Sequence, residues 1–447
     1  MNPMRTAAAK RRALAGLAVS AVVIGALTAC TGSDSGPTSA DTDIDAALEA
    51  GGTLTYWSWT PQAEAQVAAF EKAYPKVDVE LVNAGTGNDE YTKLQNAIAA
   101  GTGGPDVAQV EYYALPQFAL TDSLVDLAPY GFGDLEADYT PSTWGAVTVG
   151  DAVYGLPQDS GPIAMFYNKR IFDQFGIAVP TTWDEYLAAA EKLHAADPTK
   201  YITSDTGDAG FTTTMIWQAA GHPFQADGDK VTIDLQDAGS KKWADTWNQL
   251  LENDLLAPVP GWSDEWFKGL ADGTVASLII GAWMPGVLEG SVPDASGDWA
   301  VAPAPSYDGK PAGAENGGGG QVVLKQSSNP ALAAGFLKWL NNSDESVKVF
   351  LDGGGFPSTT ADISSPDFLG VESEYFGGQK INEVLAAAAE APSSDWSYLP
   401  YQVYANSIFG DTVGQAYANK TDLNAGLQAW QDALVEYGDK QGFTVNK

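Results

Sequence analysis

The sequence predicts an α/β fold of two lobes, each a mainly parallel sheet flanked by helices. Two observations carry that expectation. Strand and helix patterns alternate between residues 53 and 110, as βαβ units do. The chain also has 447 residues, 45% hydrophobic and 18% charged, enough for more than one core. A single α/β sheet seldom grows that large.

Taken in order, Thr53–Trp57 alternates as a half-buried strand does. Pro61 can open a helix carrying Ala63, Val67, Phe70 and Tyr74 on one stripe. Val77, Val79 and Leu81 alternate with Asp78 and Glu80 as a second strand. Tyr91, Leu94 and Ile98 mark a helix that Gly101–Gly104 ends, and residues 106–110 form a third strand. Two apolar runs, 152–156 and 163–167, flank the polar break Gln158-Asp159-Ser160-Gly161-Pro162. From the residues alone this break reads equally as a crossing between lobes or as an ordinary turn. Thr182 and Glu185 form a capping box ahead of a helix with Trp183, Tyr186, Leu187, Ala190 and Leu193 on one face.

Further on, Trp243, Trp247, Leu250 and Leu251 share a helical face, and residues 274–280 read as a buried strand. Residues 299–302 are short and apolar, and Pro303 and Pro305 stiffen the chain just beyond them. A Gly-rich run, 317–320, precedes a strand at 321–324. Asn329 and Pro330 open a helix presenting Leu332, Phe336, Leu337 and Leu340. Gly353-Gly354-Gly355-Phe356-Pro357 breaks the chain again. The last helix carries Leu423, Leu427, Trp430, Leu434 and Tyr437 on one stripe.

Composition excludes several classes of partner. The formal net charge of -34 opposes nucleic acid and anionic lipid headgroups. Arg5, Lys10, Arg11 and Arg12 precede a short apolar run, 13–27, in the manner of a secretory signal. That run ends in Leu27-Thr28-Ala29-Cys30, and Cys30 is the only cysteine. The tetrapeptide resembles a bacterial lipobox, which implies a signal peptide over 1–29 and a lipid-anchored Cys30. Residues 30–50 have the small, polar composition of a flexible tether. No internal disulfide can form, so the cores alone must hold the fold.

The stretch from Tyr154 to Tyr186 carries a "G-L-P" strand, an acidic residue soon after it, an "F-Y-N-K" strand end and a "G-I-x-V-P-x-T-W-D-E" helix start. With these motifs the chain resembles the family 1 extracellular solute-binding proteins, sugar-capturing subunits of bacterial ABC importers akin to the maltose and oligosaccharide binders. The resemblance covers about residues 51 to 447. It implies a type II periplasmic-binding-protein-like fold whose hinge is crossed three times, near Gln158, Pro303 and Gly354. On that basis the first lobe spans 51–158 and 303–353, and the second spans 159–302 and 354–447. It further implies a monomer on the extracellular face of the plasma membrane that takes a carbohydrate and hands it to permease subunits. No catalysis, cofactor or metal is implied.

A sugar offers flat C–H faces and a rim of hydroxyls, which call for aromatic rings and for carboxylates or amides. Candidates stand at the C-terminal ends of strands, where open α/β sheets bind ligands. These are Trp57, Ser58 and Trp59 after the first strand, Glu111 and Tyr112 after the third, and Trp283 after 274–280. The resemblance adds Asp159 and Phe356 at crossings, the Gly317, Gly318 and Gly319 loop, and an aromatic cluster at Trp396 and Tyr398. Each has a plainer reading. A Trp beside a strand is often core, Glu111 and Asp159 would serve equally as caps, and the glycines as a surface loop.

Two other classes compete. A secreted glycoside hydrolase needs two carboxylates across the scissile bond, and no motif singles out such a pair. Tyr112-Tyr113 resembles the tyrosine pair of ferric-ion binders, but adjacent strand residues face opposite ways and no His supports them. His194 and His222, the only histidines, lack ligand-spaced partners.

Overall fold

The computed structural model describes residues 42–391 and 396–447. Cys30, the signal segment and the tether up to residue 41 lie outside them. The tether composition expected to run to residue 50 gives way earlier, to a helix at Ile44–Ala50. Asp43 caps it by accepting the Ala46 N–H, and Leu48 is buried. Its i, i+4 pair Ile44 and Leu48 lies on Gly335, where a Cβ would come within 2.9 Å of either side chain. The apolar pair was too short to stand out from the polar background.

The first sheet sets Val77–Val82, Gly52–Trp57, Val107–Glu111, Gly319–Val323 and Leu156–Pro157 side by side. The first three run parallel, and Gly319–Val323 is antiparallel to both its neighbours. In the second lobe Leu256–Ala257 runs parallel to Thr203–Ser204, which a parallel bridge at Tyr201 and Val275 joins to Ser277–Gly281. Ile163–Asn168 is antiparallel to both Ser277–Gly281 and Trp299–Pro303. Each sheet is therefore mainly parallel with one opposed strand. In both cases that strand is the first one laid down after the chain changes lobes. A chain arriving from the other lobe enters at the C-terminal ends of the parallel strands, so it must run against them.

Alternation along the strands sorts residues to the two faces of each sheet. Met165 packs with Trp183, Trp243, Trp247 and Trp430. Its neighbour Phe166 packs with Trp266, Met284, Trp299 and Phe376 on the other side. The first lobe has its own core around Tyr56, Phe70, Tyr91, Val110, Val322 and Phe336. Thr182 forms the capping box read from the sequence, its hydroxyl taking the Glu185 N–H at 3.2 Å.

The second change of sheets falls later than Pro303 suggests. After Trp299–Pro303 the chain stays on the second lobe, where Ser306 exchanges backbone hydrogen bonds with Thr181 and Trp183. Ala314 is in that lobe's core and accepts the Ile163 N–H. The switch comes between Asn316 and Gly319. Pro303 stiffens the chain without redirecting it, because the following residues pair with the strand they would otherwise leave. The third change follows the helix Asp344–Asp352, with Phe356 already in the second lobe's core.

Glu90, in the helix Asn88–Ala100, is buried with neither carboxyl oxygen hydrogen-bonded. Burial pushes its pKa up to about 8, with Lys93 opposing and Glu111 adding to the rise. A carboxyl raised above its unfolded value keeps its proton in the folded state only, so stability falls as pH rises from about 4.5 to about 8. Glu90→Gln should flatten that decline in calorimetric scans between pH 5 and 8. An unchanged slope would mean that Glu90 is ionised and hydrated.

Candidate binding cleft

Between the lobes lies a cleft of about 570 Å³. The first lobe contributes Asn88, Glu111 and Tyr113, and the crossing contributes Asn316, Gly317 and Gly318. The second lobe supplies residues 203–211, Thr213, Thr214, Trp262, Trp266 and Trp283, and the C-terminal segment supplies Tyr398, Gln402, Asn406 and Phe409.

Of the residues singled out from sequence, Glu111, Trp283, Gly317, Gly318 and Tyr398 meet in this cleft. The others do not border it. Trp57 is half-buried against the first core, and Ser58 is buried with its hydroxyl on Gln109 Oε1 at 2.8 Å. Trp59 lies edge-on to Tyr91, ring centres 6.2 Å apart. Gln109 Oε1 also takes the Trp59 and Thr60 N–H groups, so this loop is tied to its own lobe. Tyr112 turns its hydroxyl onto the Asp159 carbonyl at 2.7 Å. Asp159 Oδ1 accepts the Gly319 N–H at 2.7 Å, within the crossing. Phe356 is 2% exposed and packs on Phe368 rather than facing the cleft. An apolar side chain at a crossing is pulled into whichever core it can reach. Trp396 stacks on Trp217 at 5.3 Å and 14° and supports Tyr398 from behind.

Glu111 ends its strand with the backbone N–H on the Tyr91 hydroxyl at 2.8 Å, and that hydroxyl donates back to Oε2 at 3.1 Å. Burial lifts its pKa to about 7, tyrosine hydrogen bonds partly offset this, and Asp159 and Asp208 add to it. Across the cleft Asp205 accepts from Trp247 Nε1 at 2.9 Å and the Tyr417 hydroxyl at 2.7 Å, and burial raises it to about 6. Asp208 caps the helix Ala209–Gln218, and burial raises it too. No Lys, Arg or His is among the lining residues. Carboxyls without cations repel anions and suit hydroxyl donors.

The aromatic wall is a three-ring ladder that the sequence reading only half found. Trp283 donates its Nε1–H to the Asn316 carbonyl at 2.7 Å, which fixes the ring. Trp262 stacks on it at 5.8 Å and 27°, and Trp266 adjoins Trp262 at 5.2 Å. Trp262 is 55% exposed and holds φ at 67°, unusual for a bulky residue and costing about 1 kcal/mol or more. The available signal was Pro260-Gly261-Trp262 directly ahead of the N-cap Ser263. An aromatic residue there passes for an ordinary staple onto the helix.

Two lobes with this strand order, joined by three crossings around a cleft, define a two-lobed solute-binding protein. The chain belongs to the bacterial extracellular solute-binding protein family, which it matches over residues 56–346. It is 44% identical to an ABC transporter associated binding protein from B. animalis subsp. lactis Bl-04, solved with beta-1,6-galactobiose. That match covers 88% of this chain and 99% of the other, with a TM-score of 0.84. The galacto-N-biose-/lacto-N-biose I-binding protein of Bifidobacterium longum, solved with lacto-N-biose, is 28% identical over 89% of this chain and 99% of its own, with a TM-score of 0.77. An arabinooligosaccharide-binding protein of Halalkalibacterium halodurans is 25% identical over 83% of this chain and 86% of its own. The family and these relatives are binding proteins, and this chain belongs with them as a solute-binding protein rather than a glycoside hydrolase. Among the described residues no group of His, Cys, Asp and Glu could hold a metal ion, and no helix is long and apolar enough to cross a membrane.

Proposed function

We propose that the protein closes its two lobes on a neutral short oligosaccharide, a β-linked galactobiose being the first candidate, and delivers it to an ABC importer. One observation carries this reading: a cleft walled by stacked tryptophans on one lobe, with carboxyls on both and no cation. Stacked rings match the C–H faces of pyranoses, and acids without counter-charges exclude phosphorylated or acidic solutes. The 44% identical neighbour with its beta-1,6-galactobiose supports the choice of sugar. Contacts are assigned to Trp262, Trp283, Glu111, Tyr398 and the Gly317–Gly318 backbone. The moving bodies are residues 44–158 with 319–353 and residues 159–318 with 354–447, as the sheet pairings suggest. The protein works as a monomer at the extracellular membrane face, anchored through Cys30, and passes its sugar to the permease subunits. Mass spectrometry of the membrane-derived protein tests the anchor, which an unmodified Cys30 would overturn.

Calorimetric titration with β-1,6-galactobiose, lactose, lacto-N-biose, maltotriose and galacturonic acid tests the site. We expect saturable binding of at least one β-galactoside, none of galacturonic acid, and intact sugar afterwards. Tight binding of the acid alone, or hydrolysed product, would overturn the reading.

A further inference from the structure

One short helix belongs to the second lobe by its attachments, yet buries a side chain in the first. It spans Gln402–Ser407 in the C-terminal segment. Tyr401, Ala405 and Phe409, spaced by four along one side of it, lie in the second lobe's core. The Ala405 carbonyl accepts the Trp430 Nε1–H at 3.0 Å, and the helix packs on Ala209–Gln218 of the same lobe. It therefore travels with the second lobe.

Its other side faces across. Val403 is 8% exposed and packs in the core of Tyr56, Tyr91 and Val110, which is the first lobe's. The helix accordingly also packs on Asn88–Ala100. Just ahead of it, Tyr398 packs on that core too, its ring edge-on to Tyr113 of the first lobe at 6.4 Å and 64°. Trp396, whose ring centre is 6.0 Å away, holds Tyr398 to the second lobe. Gln402 and Asn406, on either side of Val403, line the cleft, whereas Val403 does not.

We propose that Val403 is a positioning residue for lobe closure, and that Gln402–Ser407 is an apolar latch seated in the first lobe when the lobes close and withdrawn when they part. The reading rests on the two-lobed binding function above and adds what holds the lobes shut. Parting them returns the Val403 side chain to water, because its helix leaves with Trp430, and that transfer is unfavourable. The chain itself thus supplies part of the closing free energy, and the sugar need not supply all of it. Apparent affinity rises with the population of the binding-competent form, so the latch tightens binding without touching the ligand. It also sets Glu111 and Tyr113 of the first lobe opposite Tyr398, Gln402 and Asn406 of the second, completing the wall of the cleft.

Small-angle scattering on the ligand-free protein tests the latch without any sugar, so its failure is distinct from failure of the sugar assignment. Val403→Asp and Val403→Ser, shown to be folded by circular dichroism, should each have a larger radius of gyration than the wild type. Val403→Ile should keep the wild-type value. In calorimetric titration with β-1,6-galactobiose, Val403→Ser should raise Kd about tenfold although the residue does not border the cleft. Saturating β-1,6-galactobiose should then bring its radius back to that of the wild type. If Val403→Asp fails to fold, Val403→Ser and Val403→Ala carry the same comparison. An unchanged ligand-free radius in folded Val403→Ser overturns the latch, and weakened binding without that change would mark Val403 as second-lobe packing only.

Discussion

Trp262→Ala should weaken sugar binding by about 2 kcal/mol or more, roughly a thirtyfold rise in Kd, with the fold intact. The ring is more than half exposed, so removing it leaves little cavity in the core. It stacks on Trp283 and lines the cleft, so the exposed part of its ring is available to a ligand. Its left-handed backbone adds to the argument. A bulky residue held at positive φ persists only where the surroundings over-determine it, commonly at ligand sites. Trp283→Ala should cost binding to a similar degree by a different route. It removes the ring that braces Trp262 and strips the Asn316 carbonyl of its indole donor. A measurable loss of stability should accompany it, because Trp283 is partly buried. Trp262→Phe should recover much of the affinity. Calorimetric titration with near-ultraviolet circular dichroism checks all three, and wild-type affinity in a well-folded Trp262→Ala would move the ligand off this wall.

The contrast between Trp283 and Trp262 shows what the sequence could and could not disclose. Trp283 follows a buried apolar strand, and strand C-terminal ends face the cleft, so periodicity and topology together found it. Trp262 depends on a stacking partner twenty-one residues away, and no local pattern encodes that meeting. The same limit explains Asp159. Its polar break read equally as a crossing or a turn, and the pairing with the Gly319 N–H is visible only once both strands are placed. Helices with caps and stripes were legible because their signals are local. Thr182 and Glu185 form their box, and the final helix buries Leu423, Leu427, Trp430 and Leu434 as spaced. The crossing assigned to Pro303 shifted because proline constrains its own φ without choosing a partner strand. Phe356 moved from cleft to core for a similar reason, since an aromatic ring beside glycines satisfies either reading until its neighbours are known.

Gly161→Ala should cost about 3 kcal/mol or more of stability. Gly161 is not there for its backbone angles, since its φ is not in the left-handed region. It is there because the second crossing passes directly over it. A Cβ at this position would sit 2.2 Å from the Asn316 carbonyl oxygen and 2.9 Å from its carbon, both backbone atoms that cannot rotate aside. Relief requires the crossings to separate, which breaks the Asn316 N–H to Gly161 bond and pulls the Gly161 N–H away from Glu315. The contact between the crossings would therefore be lost. Gly133→Ala is the matched control, with nothing within 4 Å of the added carbon and no left-handed angle. Denaturant unfolding of both variants, with small-angle scattering on the survivors, gives the comparison. The Gly161 variant should unfold at lower denaturant and, where folded, show a larger radius of gyration. Equal stability of the two alanine variants would mean that the crossings are not in contact at Gly161.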